Sequence, residues 1–347
     1  MAYTTIDDPS AYFHIQLYTG TGSELSVTND ANAGDFKPDW IWIKQRNAAT
    51  NHGMFDSTRG VTKNLKPDTA DAESTEAQSV KTFNTDGFTL GTSGDYNGSS
   101  DTHVAWQWIA NGGTTSSNTD GSITSTVQAN TTAGFSIVTY TGTGSAATIG
   151  HGLGNTPQVI ITKDRDAFEN WVVHHQSVGA EFILRMDQTD AKVDASSYND
   201  TLPTSSVFSV SAGGAINQNT NKYVSYCLTE KQGYSKFGSY TGNGNADGPF
   251  VYTGFKPAWI MIKRTDAANS WYLVDSTRGS TNVISAELEA NNNGAEATSN
   301  VRLDILSNGY KIRTSGAAYN ASSGTYVYMA FAEHPFVGSD GVPTTAR

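Results

Sequence analysis

The chain has 347 residues, with 22 Lys and Arg against 33 Asp and Glu, for a formal charge of −11. An acidic chain without a basic cluster is repelled by phosphate backbones and anionic lipid, which argues against nucleic-acid binding and membrane-surface attachment. One cysteine, Cys227, excludes an intrachain disulfide framework, and no apolar run approaches the roughly 18 residues of a membrane span.

The N-terminus, Met1 to Asp8, has no basic segment followed by an apolar one, so it does not read as a signal peptide. Charged residues are only 16% and glycine is frequent, a balance that fits a turn-rich β-protein better than a helical one. The first expected strand runs from Phe13 into Tyr18-Thr19-Gly20. A proline-led strand follows, Pro38-Asp39-Trp40-Ile41-Trp42-Ile43-Lys44, apolar on both faces and so expected to be central. His52 stands fourteen residues after Pro38, and Asp56-Ser57-Thr58-Arg59-Gly60 begins eighteen residues after it. A short run at Asn64-Leu65, a turn at Asn84 to Phe88 and a closing strand, Val104 to Trp108, complete the set.

The same order returns twice. Phe135 to Gly142 and Ser235 to Gly242 repeat the opening strand. Pro157 and Pro257 lead new central strands, with Trp171 and Trp271 at the same fourteen-residue offset. Asp275-Ser276-Thr277-Arg278-Gly279 repeats the first copy's phrase, whereas the middle copy lacks it. Phe182-Ile183-Leu184 and Val283-Ile284 are read as matches to Asn64-Leu65. The closing strands, Val224 to Leu228 and Val327 to Phe331, alternate as Val104 to Trp108 does. One side carries Val104, Trp106 and Trp108, then Val224, Tyr226 and Leu228, then Val327, Met329 and Phe331. Alternation in three copies makes these strands with one face on a core.

The fold expected is therefore all-β, three tandem jelly-roll-like β-sandwich units of about 100 residues, each burying its own core. The units span 1–112, 133–232 and 233–336, with a Gly/Ser/Thr/Asn-rich flexible linker at 113–132 and a loop-like tail at 337–347.

The chemistry-bearing motifs are weak. Gly142-Thr143-Gly144-Ser145-Ala146-Ala147 matches a dinucleotide fingerprint, but His151-Gly152-Leu153-Gly154 soon after cannot continue a helix, so a turn is expected. Asn243 to Asp247 resembles half a calcium loop, but Gly254 stands where the bidentate Glu belongs, leaving at most a loose surface site. No zinc spacing and no nucleophile elbow occurs, so no catalytic residue, metal centre or cofactor is assigned. Arg59 and Arg278 are expected to tie their own turns. Loop aromatics beside asparagine offer adaptable contact, which selects Tyr96, Asn97, Tyr198, Tyr319 and Asn320 as candidate ligand-contact residues.

The Tyr140-Thr141-Gly142 ending, the loop Gly150-His151-Gly152-Leu153-Gly154, the paired Asp-Ser-Thr-Arg-Gly phrases and the ending Tyr328 to Phe336 together resemble a repeat domain of virion structural proteins from marine tailed bacteriophages. The resemblance spans nearly the whole chain. It implies a non-enzymatic virion component whose partners are other virion proteins and a host-surface glycan or protein, placed on the tail as a fibre or spike. A head-decorating cement protein is the alternative reading, and a glycan-degrading tail enzyme, requiring two converging carboxylates, is the third. A homotrimer is expected, with the outward Tyr328 at its interface.

Overall fold

The computed structural model describes residues 3–30, 36–299 and 301–343. The chain is all-β, built from antiparallel sheets. One strand order occurs three times. Opening strand Phe13–Thr19 pairs with closing strand Thr102–Trp108, which pairs with Trp40–Gln45, which pairs with Gly53–Asp56. The second copy sets Phe135–Thr141, Lys222–Leu228, Val159–Asp164 and Val172–His175 in the same order. The third sets Ser235–Thr241, Thr325–Pro335, Phe255–Arg264 and Trp271–Asp275.

The register makes the copies comparable residue by residue. Trp40, Val159 and Trp259 pair with Trp108, Leu228 and Phe331, and with Asp56, His175 and Asp275 on the other side. Each stands two residues after its proline, so Pro38, Pro157 and Pro257 are equivalent. Pro257 lies inside its strand, where the register shifts, as a residue without an N–H requires. In unit three the match to Leu65 and Leu184 is Leu288, paired with Leu273, and not Val283-Ile284.

A smaller sheet covers the outer face of each large one. In unit three, Phe250–Tyr252, Gly309–Ile312 and Leu303–Leu306 pack Val251, Tyr310 and Ile305 against Ile260, Ile262 and Tyr328. Tyr328 is therefore buried in its own unit, which corrects its placement at an outward interface. A central strand's residues alternate between layers, so Ile41 and Ile43 fill the outer core while Trp40 and Trp42 point the other way.

That other way leads to one core shared by all three units. It joins Trp40, Trp42, Trp106 and Trp108 with Phe135, Val159, Trp171 and Tyr226, and with Trp259, Trp271, Met329 and Phe331. Trp40 stacks on Trp108 at 4.3 Å and on Tyr226 of unit two at 4.4 Å, and Trp108 meets Trp259 of unit three edge-on at 5.8 Å. The closing-strand faces were expected to fill separate cores. Alternation identifies a buried face but not the neighbour that buries it.

The 113–132 segment is not a flexible linker. Ser116–Asn118 and Ser125–Asn130 extend the second large sheet, the latter pairing with Phe135–Thr141. Ile123 and Val127 are buried and Gln128 is inaccessible. An edge strand facing water on one side needs few apolar residues, so its composition mimics a linker. In the tail, Ser339 N–H donates to Asp7, and residues 344–347 lie outside those described.

Candidate functional site

The repeated phrases build the joints between units. The Arg59 guanidinium donates to Asp56 within its turn, to the Met54 carbonyl at 3.0 Å and to Glu73 at 2.9 Å. Arg165 of unit two grips the same Glu73 with two bonds, 2.8 and 2.9 Å, and the Tyr226 hydroxyl donates to Asp56 at 2.8 Å. The joint between units three and one repeats this plan. Arg278 donates to Asp275 and to Glu296, Arg46 grips Glu296 at 3.0 and 2.8 Å, and Trp106 Nε1 donates to Asp275 at 3.1 Å. Burial pushes the Glu73 and Glu296 carboxyls up, but the paired arginines outweigh it and hold both below their usual range. The expectation that Arg59 and Arg278 tie turns was right but incomplete, since each also ties a neighbouring unit.

The third joint, between units two and three, is neutral. His175 occupies the Asp56 position, Val178 that of Arg59 and Met329 that of Tyr226. Burial lowers the His175 pKa to about 4, so the ring is neutral at pH 7. Its Nε2 lies 3.2 Å from the Tyr328 carbonyl and its Nδ1 accepts the Ser177 N–H, which fixes the proton on Nε2. One backbone bond survives in all three joints: Glu73 N–H to Arg165 O, Lys192 N–H to Thr265 O, and Glu296 N–H to Arg46 O, at 2.8 to 2.9 Å. Three such joints close the chain into a ring.

The loop residues selected as ligand contacts are inside. Tyr96, Asn97, Tyr319 and Asn320 have no exposed area and Tyr198 has 2%, which corrects their assignment to a contact surface. Asn97 accepts the Thr21 N–H and donates to Ser23 O and Gly91 O. Asn320 accepts the Asn243 N–H and donates to Asn245 O and Thr314 O. Asn217 does the same for Thr143, Ser145 and Ser211. Each asparagine braces the glycine loop after an opening strand, because a buried amide satisfies three backbone groups at once. Asn217 escaped notice because Ile216 replaces the tyrosine before it. Tyr198 lies elsewhere, its hydroxyl bonded to Thr162 at 3.0 Å.

The same loops dispose of two motifs. A strand, Ala147–Gly150, follows Gly142, and Gly144 N–H bonds Asn217 O. In the half-calcium loop, Asp247 pairs with Lys311 at 2.8 Å and Asn320 holds the turn. Among the described residues no group of three or more His, Cys, Asp or Glu is placed to hold a metal ion.

A cavity and an aromatic strip are among the features that reach solvent. A cavity of about 550 Å³ opens where unit three meets unit one, lined by Asp8, His14, Asp30, Thr277, Glu333 and His334 among others. Glu333 bonds Lys256 at 2.7 Å and Asp8 accepts the Ser10 N–H. Burial lowers the His14 pKa, so its imidazole is neutral at pH 7. The second is an aromatic strip on the outer face of the third small sheet. Phe250 is 46% and Tyr252 53% exposed, and the Tyr3 hydroxyl lies 3.2 Å from that of Tyr252. No sequence pattern marked the strip. Its alternation, Phe250 out, Val251 in, Tyr252 out, could have done so.

A family model described as a domain of unknown function, DUF7483, matches residues 8–335. The chain belongs to the DUF7483 family. No curated protein and no solved structure matches it. The DUF7483 match runs through all three copies in one span, as a ring that needs all three would require.

Within this DUF7483 ring, a lysine is the next-to-last residue of each central strand: Lys44, Lys163 and Lys263, all inaccessible. Lys163 Nζ donates to Asp164 O at 2.8 Å and to Ala70 O of unit one at 3.2 Å. Lys263 Nζ donates to Asn269 O and to Thr189 O of unit two. Burial lowers each pKa from 10.5 to about 8. Between pH 8 and 10.5 the unfolded chain holds these protons more tightly, so stability rises with pH across that window. Each tenfold loss of proton affinity costs about 1.4 kcal/mol at neutral pH. The melting temperature is expected to be higher at about pH 9.5 than at about pH 7.5. Above pH 10 the buried tyrosines, pushed up by burial, act with the opposite sign.

Proposed function

We propose that the chain is a non-enzymatic structural component of a tailed-phage virion, carried on the tail as a fibre- or spike-type part that adheres to the host surface. The resemblance to virion repeat domains and the ring support the first half of this reading. The conspicuous polar phrases are spent on holding units together, as a rigid scaffold needs.

The observation that carries adhesion is the aromatic strip of Phe250, Tyr252 and Tyr3. Exposed rings on a sheet face suit stacking against sugar, and several copies per particle multiply weak binding. On a glycan array the protein is expected to retain a subset of polysaccharides. The double variant Phe250→Ala, Tyr252→Ala should lose that retention while melting at an unchanged temperature. Retention equal to wild type would sink the adhesion reading. Bound polysaccharide should keep its size distribution, and depolymerisation would establish the enzymatic alternative.

The ring favours a second reading, a head-decorating protein. One chain already supplies a threefold arrangement, which fits a threefold position on a capsid without a fibre shaft. A cryo-EM map of the particle separates tail from head.

A further inference from the structure

The loop Gly150-His151-Gly152-Leu153-Gly154 belongs to unit two alone, and so, among the described residues, do the added strands Ser116–Asn118 and Ser125–Asn130. Loop and strands are fitted to each other. A Cβ on Gly150 would stand 1.6 Å from Asn118 Oδ1, so only glycine admits that amide. Ser125 Oγ donates to Gly150 O at 2.7 Å. A Cβ on Gly152 would stand 3.3 Å from Val127 and 3.4 Å from Ala129, so the loop lies against that strand. His151 fastens a third segment. Its backbone N–H donates to Ser206 O at 3.2 Å. Its Nδ1 accepts the Leu153 N–H, which leaves the proton on Nε2 for Thr204 O.

These three segments do not close on one another. They frame a cavity of about 500 Å³, within the range of small-molecule sites. Ser116, Asn118, Asp120 and Ser205 line it, and Val127 and Ala129 give it a small apolar patch. Asn118 Nδ2 holds one Asp120 carboxylate oxygen at 2.9 Å. Among the described residues the Ser116 and Ser205 hydroxyls make no hydrogen bond of their own, and no Lys, Arg, His or aromatic residue lines the space. The buried His151 imidazole is neutral at pH 7, because burial lowers its pKa. Such a lining suits a neutral sugar. Adjacent sugar hydroxyls both donate and accept, so they can satisfy a carboxylate, an amide and serine hydroxyls together. A phosphate, sulfate or uronate would meet Asp120 with no cation to offset it.

We infer that this cavity is a binding site for one neutral hexose unit, with Asp120 and Asn118 as the pair that recognises its hydroxyls. Asp120 accepts from sugar O–H groups, Ser116 and Ser205 complete the ring of bonds, and the C–H face of the sugar covers Val127 and Ala129. The site lies in unit two, apart from the aromatic strip of unit three, and does not depend on the adhesion reading.

The probes are the methyl glycosides of glucose, galactose and mannose, titrated into the full-length protein and read by saturation-transfer NMR. A ligand this small binds with a Kd on the order of 1 mM, too weakly to survive the washing of an array, so cavity and strip report separately. At least one glycoside should saturate, and methyl glucuronoside should bind more weakly than it. Asp120→Ala, at an exposed position, should weaken binding at least about tenfold with an unchanged melting temperature. Ser205→Tyr, which adds a ring to the cavity wall, should abolish it, and Phe250→Ala, Tyr252→Ala should leave it unchanged. Four results overturn the proposal: no saturation by any of the three glycosides at about 50 mM, equal binding of the glucuronoside, binding unchanged in both Asp120→Ala and Ser205→Tyr, or binding lost in the strip variant.

Discussion

Replacing Trp108 with alanine is expected to destabilise the protein by about 3–5 kcal/mol, the range for a buried aromatic. The indole touches Trp40 and Phe13 of its own unit and Trp259 and Phe331 of unit three. The cavity left would open into the shared core rather than into one sandwich. Hydrogen exchange should therefore quicken in unit three as well as in unit one. An unchanged melt would refute the core assignment. Loss confined to unit one would refute the shared core while leaving the strand faces intact.

Arg59→Met should be comparably severe, about 3–5 kcal/mol, because it strands a buried Asp56 carboxylate. Both side chains are inaccessible, and Tyr226 and Glu73 belong to the same network. The chain contains its own remedy in the neutral third joint. Combining Asp56→His, Arg59→Val and Tyr226→Met copies His175, Val178 and Met329. The triple variant is expected to recover most of the stability lost by Arg59→Met, since Asp56 and Arg59 leave together and Glu73 keeps its two bonds from Arg165. Chemical denaturation of the three proteins decides it. A triple variant weaker than the single would mean that the joints are not equivalent.

Much of this fold is legible in the sequence. The proline spacing locates equivalent central strands, and the two-sided apolar run of Trp40 to Ile43 announces that both faces are covered. The closing strands show their large face by alternation. What the sequence does not carry is which partner receives that face. Trp106 reads the same whether it packs within its unit or against Arg278 of another, where the guanidinium lies 5.3 Å from the ring. The loop residues failed for a related reason. A tyrosine next to an asparagine, amid glycines, reads as a surface tip. Asn97 and Asn320 are instead the posts around which a loop folds, and burial of one amide depends on backbone groups tens of residues away. The strand Ser125–Asn130 was hidden by its polar composition.

The ring with one core is tested most directly by differential scanning calorimetry of the whole chain. Arg46 of unit one bonds Glu296 of unit three, and Glu73 of unit one bonds Arg165 of unit two, so no unit can unfold without exposing its neighbours' buried faces. The expected result is a single endotherm whose calorimetric and van't Hoff enthalpies agree. Two or three resolved transitions, each with its own enthalpy, would contradict it and restore three independent sandwiches on a string.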